Sequence, residues 1–355
     1  MPLNTFRRYL KNSLLVALVA SSSLLLSSCS KPPKIEKLSG FAEGTSYHVS
    51  WWSNKAVPVE KVQQQFNQTL AKIDLEFSTY RDDSYISKFN RSTSTDWQPA
   101  SKDFIDMLLI AKKVHRDSNG CYDPTIEPLF ALWGFQKDSL HVPTAEQIAT
   151  VKAEMGIDKI EIDTKQMKIR KTIPQLQLDL SSMGEGYAIT KLSQVLESDG
   201  VKNYLVEFGG DMKIQGRKPE GEKWRIAIED PIPLKDGVKP YRIVTINDES
   251  GVSLNTSGTY HHYFDDKGKE YSHILDPRTG APVTHHLVSA SVFGTNPIVS
   301  DAWATTMLCL GPKEGKEVAQ KQHLEVFFIK GQNKSFSSFE STALAKTQRV
   351  TLNEG

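Results

Sequence analysis

Short segments rich in β-forming residues follow one another through the second half of the sequence, and this pattern constrains the fold most. Glycine, proline, asparagine or aspartate separates them, as is typical between strands. Predicted strands cover residues 203–208, 211–216, 223–229, 241–247, 252–256, 260–264, 271–275, 287–293 and 325–329. Strand-rich runs mixed with helices favour an α+β fold over a doubly wound parallel sheet.

Helical segments lie before and between these strands. Val62, Phe66, Leu70, Ile73 and Phe77 recur at spacings of four and three, which predicts one apolar face of a long helix. Further helices are predicted at about 102–117, 144–155, 299–310 and 313–322, and another after Gly186. Further strands are predicted at 41–52 and 175–180, with a hairpin at 160–162 and 167–169. The polar, Ser/Thr-rich residues 332–355 predict a loosely packed C-terminal tail.

The first thirty residues are typical of an export signal. Basic residues precede an apolar run at 14–26, which is shorter than the roughly 20 residues of a membrane-spanning helix. The sequence Leu-Ser-Ser-Cys that ends at Cys29 resembles a bacterial lipobox. We therefore predict a signal peptide at 1–28, lipidation of Cys29 and a tether at 29–37. Ser30 favours the outer membrane, and an ordinary signal peptide with a chance cysteine is the alternative.

Charge and cysteine content exclude some classes of function. Loss of residues 1–28 would remove three of the 43 basic residues and none of the 42 acidic ones. The near-neutral remainder offers no general attraction for nucleic acid. Besides Cys29, only Cys121 and Cys309 are present, too few for a disulfide framework or a metal cluster. We expect two unpaired structural cysteines, although an oxidising periplasm would allow them to pair.

Residues 179–188 are the first candidate site. A predicted strand runs into a turn that contains Gly184 and Gly186, and a helix begins there. Main-chain N–H groups at a helix start attract phosphate oxygens, and glycine allows close approach of a ligand. An ordinary strand-to-helix turn is the alternative.

Residues 300–307 are the second candidate. Asp301 and Thr305 lie four residues apart and therefore on one side of the predicted helix. A carboxylate and a hydroxyl that project together suit Mg²⁺, which prefers oxygen ligands. From these residues alone, a simple acidic charge in the first helical turn is the stronger explanation of Asp301.

Two further features suggest binding or catalysis. His273 precedes the turn at 276–280, and a histidine pKa near neutrality suits a general base, although a lone histidine is more often structural. Aromatic residues also lie beside turns at 78–81, 120–125 and 132–135. Such rings can stack on a flat cofactor, although each ring alone is more often part of ordinary packing.

Taken in order, these segments resemble the FAD:protein FMN transferase family, also called the ApbE family. The resemblance covers about residues 38–330, and no single motif carries it alone. The matching residues are Gly44, Thr45, Tyr47, 78–81, Asp83, Ser84, Phe89, Asn90, Gly120, 123–125, 132–135, 179–181, 184–188, 209–211, Ser257, Gly258, 272–277, Thr279, Gly280, Asp301, Ala302 and Thr305.

The resemblance implies a fold and a set of site residues. It implies layered antiparallel sheets with helices, similar to the T-fold, over residues 38–331. The implied Mg²⁺ ligands are the Gly184 carbonyl, the Asp301 carboxylate and the Thr305 hydroxyl. Positions implied to contact FAD are Glu43, Tyr80, Cys121, Tyr122, Asp123, Ser181, Tyr187 and His273. Family members often carry methionine at the position of Glu43, and the positions of Cys121 and Ser181 vary.

The resemblance also implies a reaction. A threonine or serine hydroxyl of an acceptor protein attacks the phosphorus of the FMN half of FAD, and AMP leaves. His273 is the predicted base, Asp276 is suggested to orient it, and Asp301 is counted with the catalytic groups through the metal. The implied acceptors are Nqr-type and Rnf-type electron-transport subunits, reached from a lipid anchor on the periplasmic side of the cell envelope. The alternatives are an FAD pyrophosphatase, against which Tyr80 argues, and a flavin-binding lipoprotein without catalysis.

Overall fold

The computed structural model describes residues 33–135, 141–232, 239–259, 263–266, 269–272, 274–332 and 335–355. The predicted signal peptide, Cys29 and His273 lie outside the described residues. Residues Ile35–Gly355 form one compact unit.

Antiparallel sheets form the centre of this unit. The strands are β1 Glu36–Ala42, β2 Thr45–Trp52, β3 Gln98–Pro99, β4 Ile160–Asp163, β5 Lys168–Lys171, β6 Asn203–Phe208, β7 Asp211–Gln215, β8 Arg225–Glu229, β9 Pro240–Ile246, β10 Val252–Gly258, β11 Tyr263–Asp266, β12 Lys269–Ser272, β13 Leu275–Asp276, β14 Ala281–Pro282, β15 Leu287–Gly294, β16 Glu325–Gln332, β17 Ser335–Glu340 and β18 Val350–Glu354. The largest sheet has eight strands in the order β1-β2-β6-β7-β10-β15-β16-β17, and a three-stranded sheet has the order β18-β9-β8. The predicted α+β class is therefore confirmed.

Seven α-helices lie within the described residues. They are α1 Val59–Phe77, α2 Tyr85–Arg91, α3 Lys102–Asp117, α4 Glu127–Trp133, α5 Ala145–Ala153, α6 Gly184–Ser198 and α7 Pro297–Lys321. Thr144 is the N-cap of α5, and its hydroxyl accepts a hydrogen bond from the main chain of Gln147. Helix α7 contains a break at Gly311, whose φ of 73° is accessible to glycine at little cost. The two predicted helices at 299–310 and 313–322 are therefore two halves of one broken helix.

The eight-stranded sheet buries both faces. Neighbouring residues of a strand point to opposite sides, so Val326 and Phe328 pack into the core beneath the helices. Phe327 and Ile329 pack instead against the three-stranded sheet. The result is three layers, with helices, a large sheet and a small sheet, and the candidate site lies on the helical side.

Two sequence predictions about the ends of the chain need correction. The predicted strand at 41–52 is interrupted by a two-residue turn, in which Glu43 and Gly44 have φ values of 50° and 79°. The predicted loose packing after Gln332 is wrong. Strand β17 pairs with β16 and β18 pairs with β9, while Leu344 and Val350 are buried.

None of the helices in the described part of the chain combines the length and the apolar character needed to cross a membrane.

Candidate active site

A cavity of about 760 Å³ opens on the helical side of the large sheet. It lies between the β1–β2 turn, the end of α1, the loop before α6 and the first turn of α6. Its lining includes Glu43, Gly44, Thr45, Asp74, Phe77, 78–81, Met107, 179–181, Gly184, Glu185, Tyr187 and Phe208. Five predicted site residues therefore share one cavity, and these are Glu43, Tyr80, Ser181, Gly184 and Tyr187.

Tyr80 forms the exposed rim of this cavity. Its side chain is 99% exposed. The backbone beneath it is fixed, because the Ser84 hydroxyl donates to the carbonyls of Ser78 (2.6 Å) and Arg81 (3.1 Å). The Arg81 guanidinium is in turn held by Asp74 and Asp83. A fixed loop therefore presents a free aromatic face to any planar ligand.

Tyr187 forms part of the wall. Its hydroxyl donates a 2.9 Å hydrogen bond to Asp103, which also pairs with Lys191 at 2.7 Å. Its ring meets that of Phe77 edge-on, with centroids 4.8 Å apart. Burial and the Asp103 carboxylate raise the pKa of Tyr187, so the phenol remains protonated.

The segment that leads into α6 is not the predicted strand. Leu176, Leu178 and Leu180 are buried in alternation, but residues 175–180 do not form a strand. The Asn90 side chain binds both main-chain groups of Leu178, at 2.8 Å each. The buried Lys171 ammonium also donates to the Leu176 carbonyl at 3.2 Å. Two side chains therefore hold this segment where a strand neighbour was expected.

Helix α6 begins in direct contact with α7. A side chain at Gly186 would overlap the Pro297 carbonyl, so only glycine allows this approach. The Gly186 N–H donates a 2.9 Å hydrogen bond to Oδ2 of Asp301. The Asp301 carboxylate therefore lies against the chain two residues after Gly184. One turn along α7, the Thr305 hydroxyl lies 3.2 Å from the hydroxyl of Ser257 on β10.

The sequence assigned no role to two acids, Glu185 and Asp211, that adjoin Asp301. Burial and then the charge of Asp211 raise the pKa of Glu185 to about 8. Burial also raises the pKa of Asp211 to about 7, although hydrogen bonds from Thr256 and Asn255 oppose the shift. Asp301 has a raised pKa for the same reason, burial followed by the charges of Asp211 and Glu185. The glycines next to both acids are the one sequence feature that could have indicated their burial, since small residues allow close packing around a buried charge.

This acidic cluster fits a hard cation. Its donors are carboxylate, hydroxyl and main-chain oxygens, and mutual repulsion of the buried acids favours either bound protons or a bound cation. The structure thus brings Asp301 to the segment of Gly184, and Thr305 follows Asp301 on the same side of α7.

Residues 121–123 are not among the residues that line the cavity, but they contact the segment that leads into α6. Tyr122 is buried and its hydroxyl lies 3.0 Å from the Ser182 hydroxyl. The Asp123 carboxylate accepts hydrogen bonds from the main chain and hydroxyl of Thr125. Cys121 forms a disulfide with Cys309, so the expectation of two unpaired cysteines is wrong. Asp276, suggested to orient His273, accepts three hydrogen bonds from the Arg278 guanidinium at 2.9–3.1 Å.

Comparisons with known proteins agree with this fold. The sequence profile described as "ApbE family" matches residues 44–328. The FAD:protein FMN transferase of Haemophilus influenzae is 33% identical over 336 residues, which is 93% of this chain and 96% of the relative. That of Escherichia coli K12 is 33% identical over 338 residues, 92% of this chain and 95% of the relative.

Solved structures give the same result. The apo flavinyl transferase ApbE of Pseudomonas stutzeri superposes with a TM-score of 0.80 at 32% identity, and covers 89% of this chain and 98% of its own. The flavin transferase ApbE of Vibrio cholerae gives 0.77 at 30% identity, with 88% and 99% coverage. Fold and relatives define the class of this protein as a transferase. The chain belongs to the ApbE family.

Proposed function

We propose that this chain is an FAD:protein FMN transferase, which moves FMN from FAD to a threonine or serine hydroxyl of an acceptor protein and releases AMP. The observation that carries the proposal is the junction of an open, aromatic-rimmed cavity with a buried cluster of oxygen donors. Gly184 and Glu185 line the cavity, and Asp301 binds the N–H of Gly186 in the same turn of the helix. A flavin ring requires the first feature and a pyrophosphate with its cation requires the second.

The proposed ligands of Mg²⁺ are the Gly184 carbonyl, the Asp301 carboxylate and the Thr305 hydroxyl. When bound there, Mg²⁺ would offset the charge of the pyrophosphate and make the bond to AMP easier to break. The raised pKa of Asp301 supports this assignment, because a cation would replace the proton that the buried carboxyl otherwise retains.

The protein's own groups would bind and orient the two substrates. Tyr80 would stack on the flavin, while Glu43, Ser181 and Tyr187 line the cavity that holds the rest of FAD. The Cys121–Asp123 segment would support this binding through its contact with the segment that leads into α6. The acceptor hydroxyl attacks the phosphorus of the FMN half in line with the departing AMP, and its proton passes to a base, for which His273 is the candidate.

The proposed acceptors rest on the resemblance to the family, and the proposed location rests on the first thirty residues. We propose Nqr-type and Rnf-type subunits that carry an Asp-Gly/Ala-x-Thr-Ser/Gly-Ala-Thr motif as acceptors. A lipid on Cys29 would hold the enzyme at the periplasmic side of a bacterial membrane, as the lipobox-like residues 26–29 suggest.

The test is incubation of the purified protein with FAD, Mg²⁺ and an acceptor fragment that carries this motif. We expect mass spectrometry to find one added FMN on a threonine or serine and AMP in equal amount. An acceptor with its motif threonine and serine replaced by alanine is the matched control. Free FMN without an adduct, across several acceptors, would support the pyrophosphatase instead. Tight FAD binding without cleavage would support a binding lipoprotein.

A further inference from the structure

The disulfide lies on the same side of α7 as two of the proposed metal ligands. Asp301, Thr305 and Cys309 are spaced four residues apart, so their side chains follow one line along the helix. Cys309 is bonded to Cys121, and both cysteines are buried. A carboxylate oxygen of Asp276 lies within 4.8 Å of both sulfur atoms. The disulfide therefore joins α7 to residues 121–124 beside the turn at 276–280.

Residues 121–124, here called the strap, also hold the segment that carries Gly184. The Pro124 carbonyl accepts a 2.7 Å hydrogen bond from the Asp179 N–H. The Tyr122 hydroxyl lies 3.0 Å from the hydroxyl of Ser182, two residues before Gly184. The strap itself is fixed to α3, because His115 contacts the Tyr122 carbonyl at 2.7 Å.

These contacts form a closed ring of interactions, which includes the two segments that carry the proposed metal ligands. One side runs from Asp301 directly to Gly186 through a 2.9 Å hydrogen bond. The other runs along α7 to Cys309, across the disulfide to the strap, and from Tyr122 to Ser182. Without the disulfide, the strap would lose a direct covalent cross-link to the helix that carries Asp301 and Thr305.

We propose that the Cys121–Cys309 disulfide and Tyr122 are positioning residues, which set the distance between the Gly184 segment and the Asp301–Thr305 side of α7. The proposal rests on the proposed function, since it concerns how the Mg²⁺ ligands are held. A divalent cation with demanding geometry binds well only where its ligands are already in place. Residues that orient metal ligands commonly change metal affinity by about 10- to 100-fold.

The main test replaces both cysteines, as Cys121→Ala with Cys309→Ala. In the metal-free protein, we expect faster hydrogen exchange of the amides at 180–186. We also expect the Kd for Mg²⁺, measured by titration calorimetry in the presence of FAD, to rise about tenfold or more. Because neither cysteine lines the cavity, saturating Mg²⁺ should restore most of kcat while the KM for Mg²⁺ stays raised.

A matched control separates positioning from general loss of stability. Ile246→Ala opens a cavity in the core between the two sheets, on the side away from the helices. This variant should lose stability but keep the Mg²⁺ affinity and the exchange of the amides at 180–186. If it lost Mg²⁺ affinity as much as the double cysteine variant, the effect would be one of stability and the proposal would be overturned.

Tyr122→Phe tests the other half of the ring and keeps the disulfide. It should speed exchange at 180–186 and weaken Mg²⁺ binding, and its effect should not add to that of the cysteine variant, because both break one path. This variant decides the matter if the cysteine variant fails to fold. Wild-type exchange and wild-type Mg²⁺ affinity in either folded variant would overturn the proposal. Absence of Mg²⁺ binding by the wild type would instead overturn the proposed function, and hydrogen exchange would still test the ring.

Discussion

The Gly186 N–H donates a 2.9 Å hydrogen bond to the carboxylate of Asp301, across 115 residues of sequence. This bond joins the first turn of α6 to the first turns of α7. Its acceptor is buried and has a raised pKa, mainly because of burial. The contact depends on the absence of a side chain at position 186, where a Cβ atom would overlap the Pro297 carbonyl. The candidate cation site therefore depends on one glycine.

Gly186→Ala should separate the two helices. Overpacking of this kind costs about 1–3 kcal/mol, and the Asp301 carboxylate would move away from Gly184. We expect a lower free energy of unfolding, measured in urea, and a higher Kd for Mg²⁺. Gly184→Ala is the matched control, because a Cβ atom there meets nothing within 4 Å and the backbone is helical. Its carbonyl stays in place, so Mg²⁺ binding should persist. Loss of Mg²⁺ binding in Gly184→Ala alone would contradict this account.

Asp301→Asn should separate catalysis from folding. The amide oxygen can still accept the Gly186 hydrogen bond, but the charge that would bind Mg²⁺ is lost. We expect Mg²⁺-dependent turnover to fall by about 100-fold or more. The free energy of unfolding of the metal-free protein should hold or rise, since a neutral amide needs neither a bound proton nor a cation to be buried without cost of charge. Steady-state kinetics and urea unfolding measure the two quantities. Full turnover in this variant would remove Asp301 from the metal site.

The sequence predicts most elements of this fold because their patterns are local. The helix at Val59–Phe77 follows from the spacing of its apolar residues, and the Thr144 cap from one side chain. The prediction of a strand at 175–180 is wrong for a physical reason. Its alternating leucines are buried as in a strand, but the partner is the side chain of Asn90, which no periodicity reveals. The prediction of a loosely packed C-terminal tail is wrong for a related reason. Strand β17 lies at the edge of its sheet, where polar residues face solvent, so its sequence does not resemble that of a buried strand.

The candidate site is less predictable than the fold. Asp301 and Thr305 are suggested by their spacing, whereas their proximity to Gly184 depends on packing between α6 and α7. The Cys121–Cys309 bond spans 188 residues, and no spacing rule predicts it. Glu185 and Asp211 look like ordinary acids until the fold buries them together. The resemblance to the ApbE family, rather than local pattern, is what groups Gly184 with Asp301 and Thr305 as metal ligands.

The buried acids predict a pH-dependent stability in the metal-free protein. Burial raises the pKa of Glu185 to about 8 and that of Asp211 to about 7. In the unfolded chain both return to about 4, so the folded state binds more protons over the interval between. Their contribution to stability is therefore complete below about pH 4 and is lost as the pH rises through 7 and 8. We expect the free energy of unfolding to fall over that range.

Two variants test this assignment. Asp211→Asn should flatten the dependence of unfolding free energy on pH, because one titrating group is removed. Glu60→Gln, at an exposed position on α1, should leave the dependence unchanged. Added Mg²⁺ should stabilise the protein more at pH 8 than at about pH 6, since the cation must displace bound protons. If the pH profile of Asp211→Asn matched that of the wild type, Asp211 would not be one of the groups that titrate over this pH range.

Tyr80 should affect flavin binding without affecting the fold. Its side chain is 99% exposed, so its loss removes no core packing. Stacking of an aromatic ring contributes about 0.5–1.5 kcal/mol, and we expect Tyr80→Ala to raise the KM for FAD about 3- to 10-fold. Tyr80→Phe retains the ring and should retain FAD binding, while both variants keep the wild-type Tm. If Tyr80→Phe were as impaired as Tyr80→Ala, the hydroxyl rather than the ring would be the important group. If neither variant changed the KM, the flavin would bind elsewhere in the cavity.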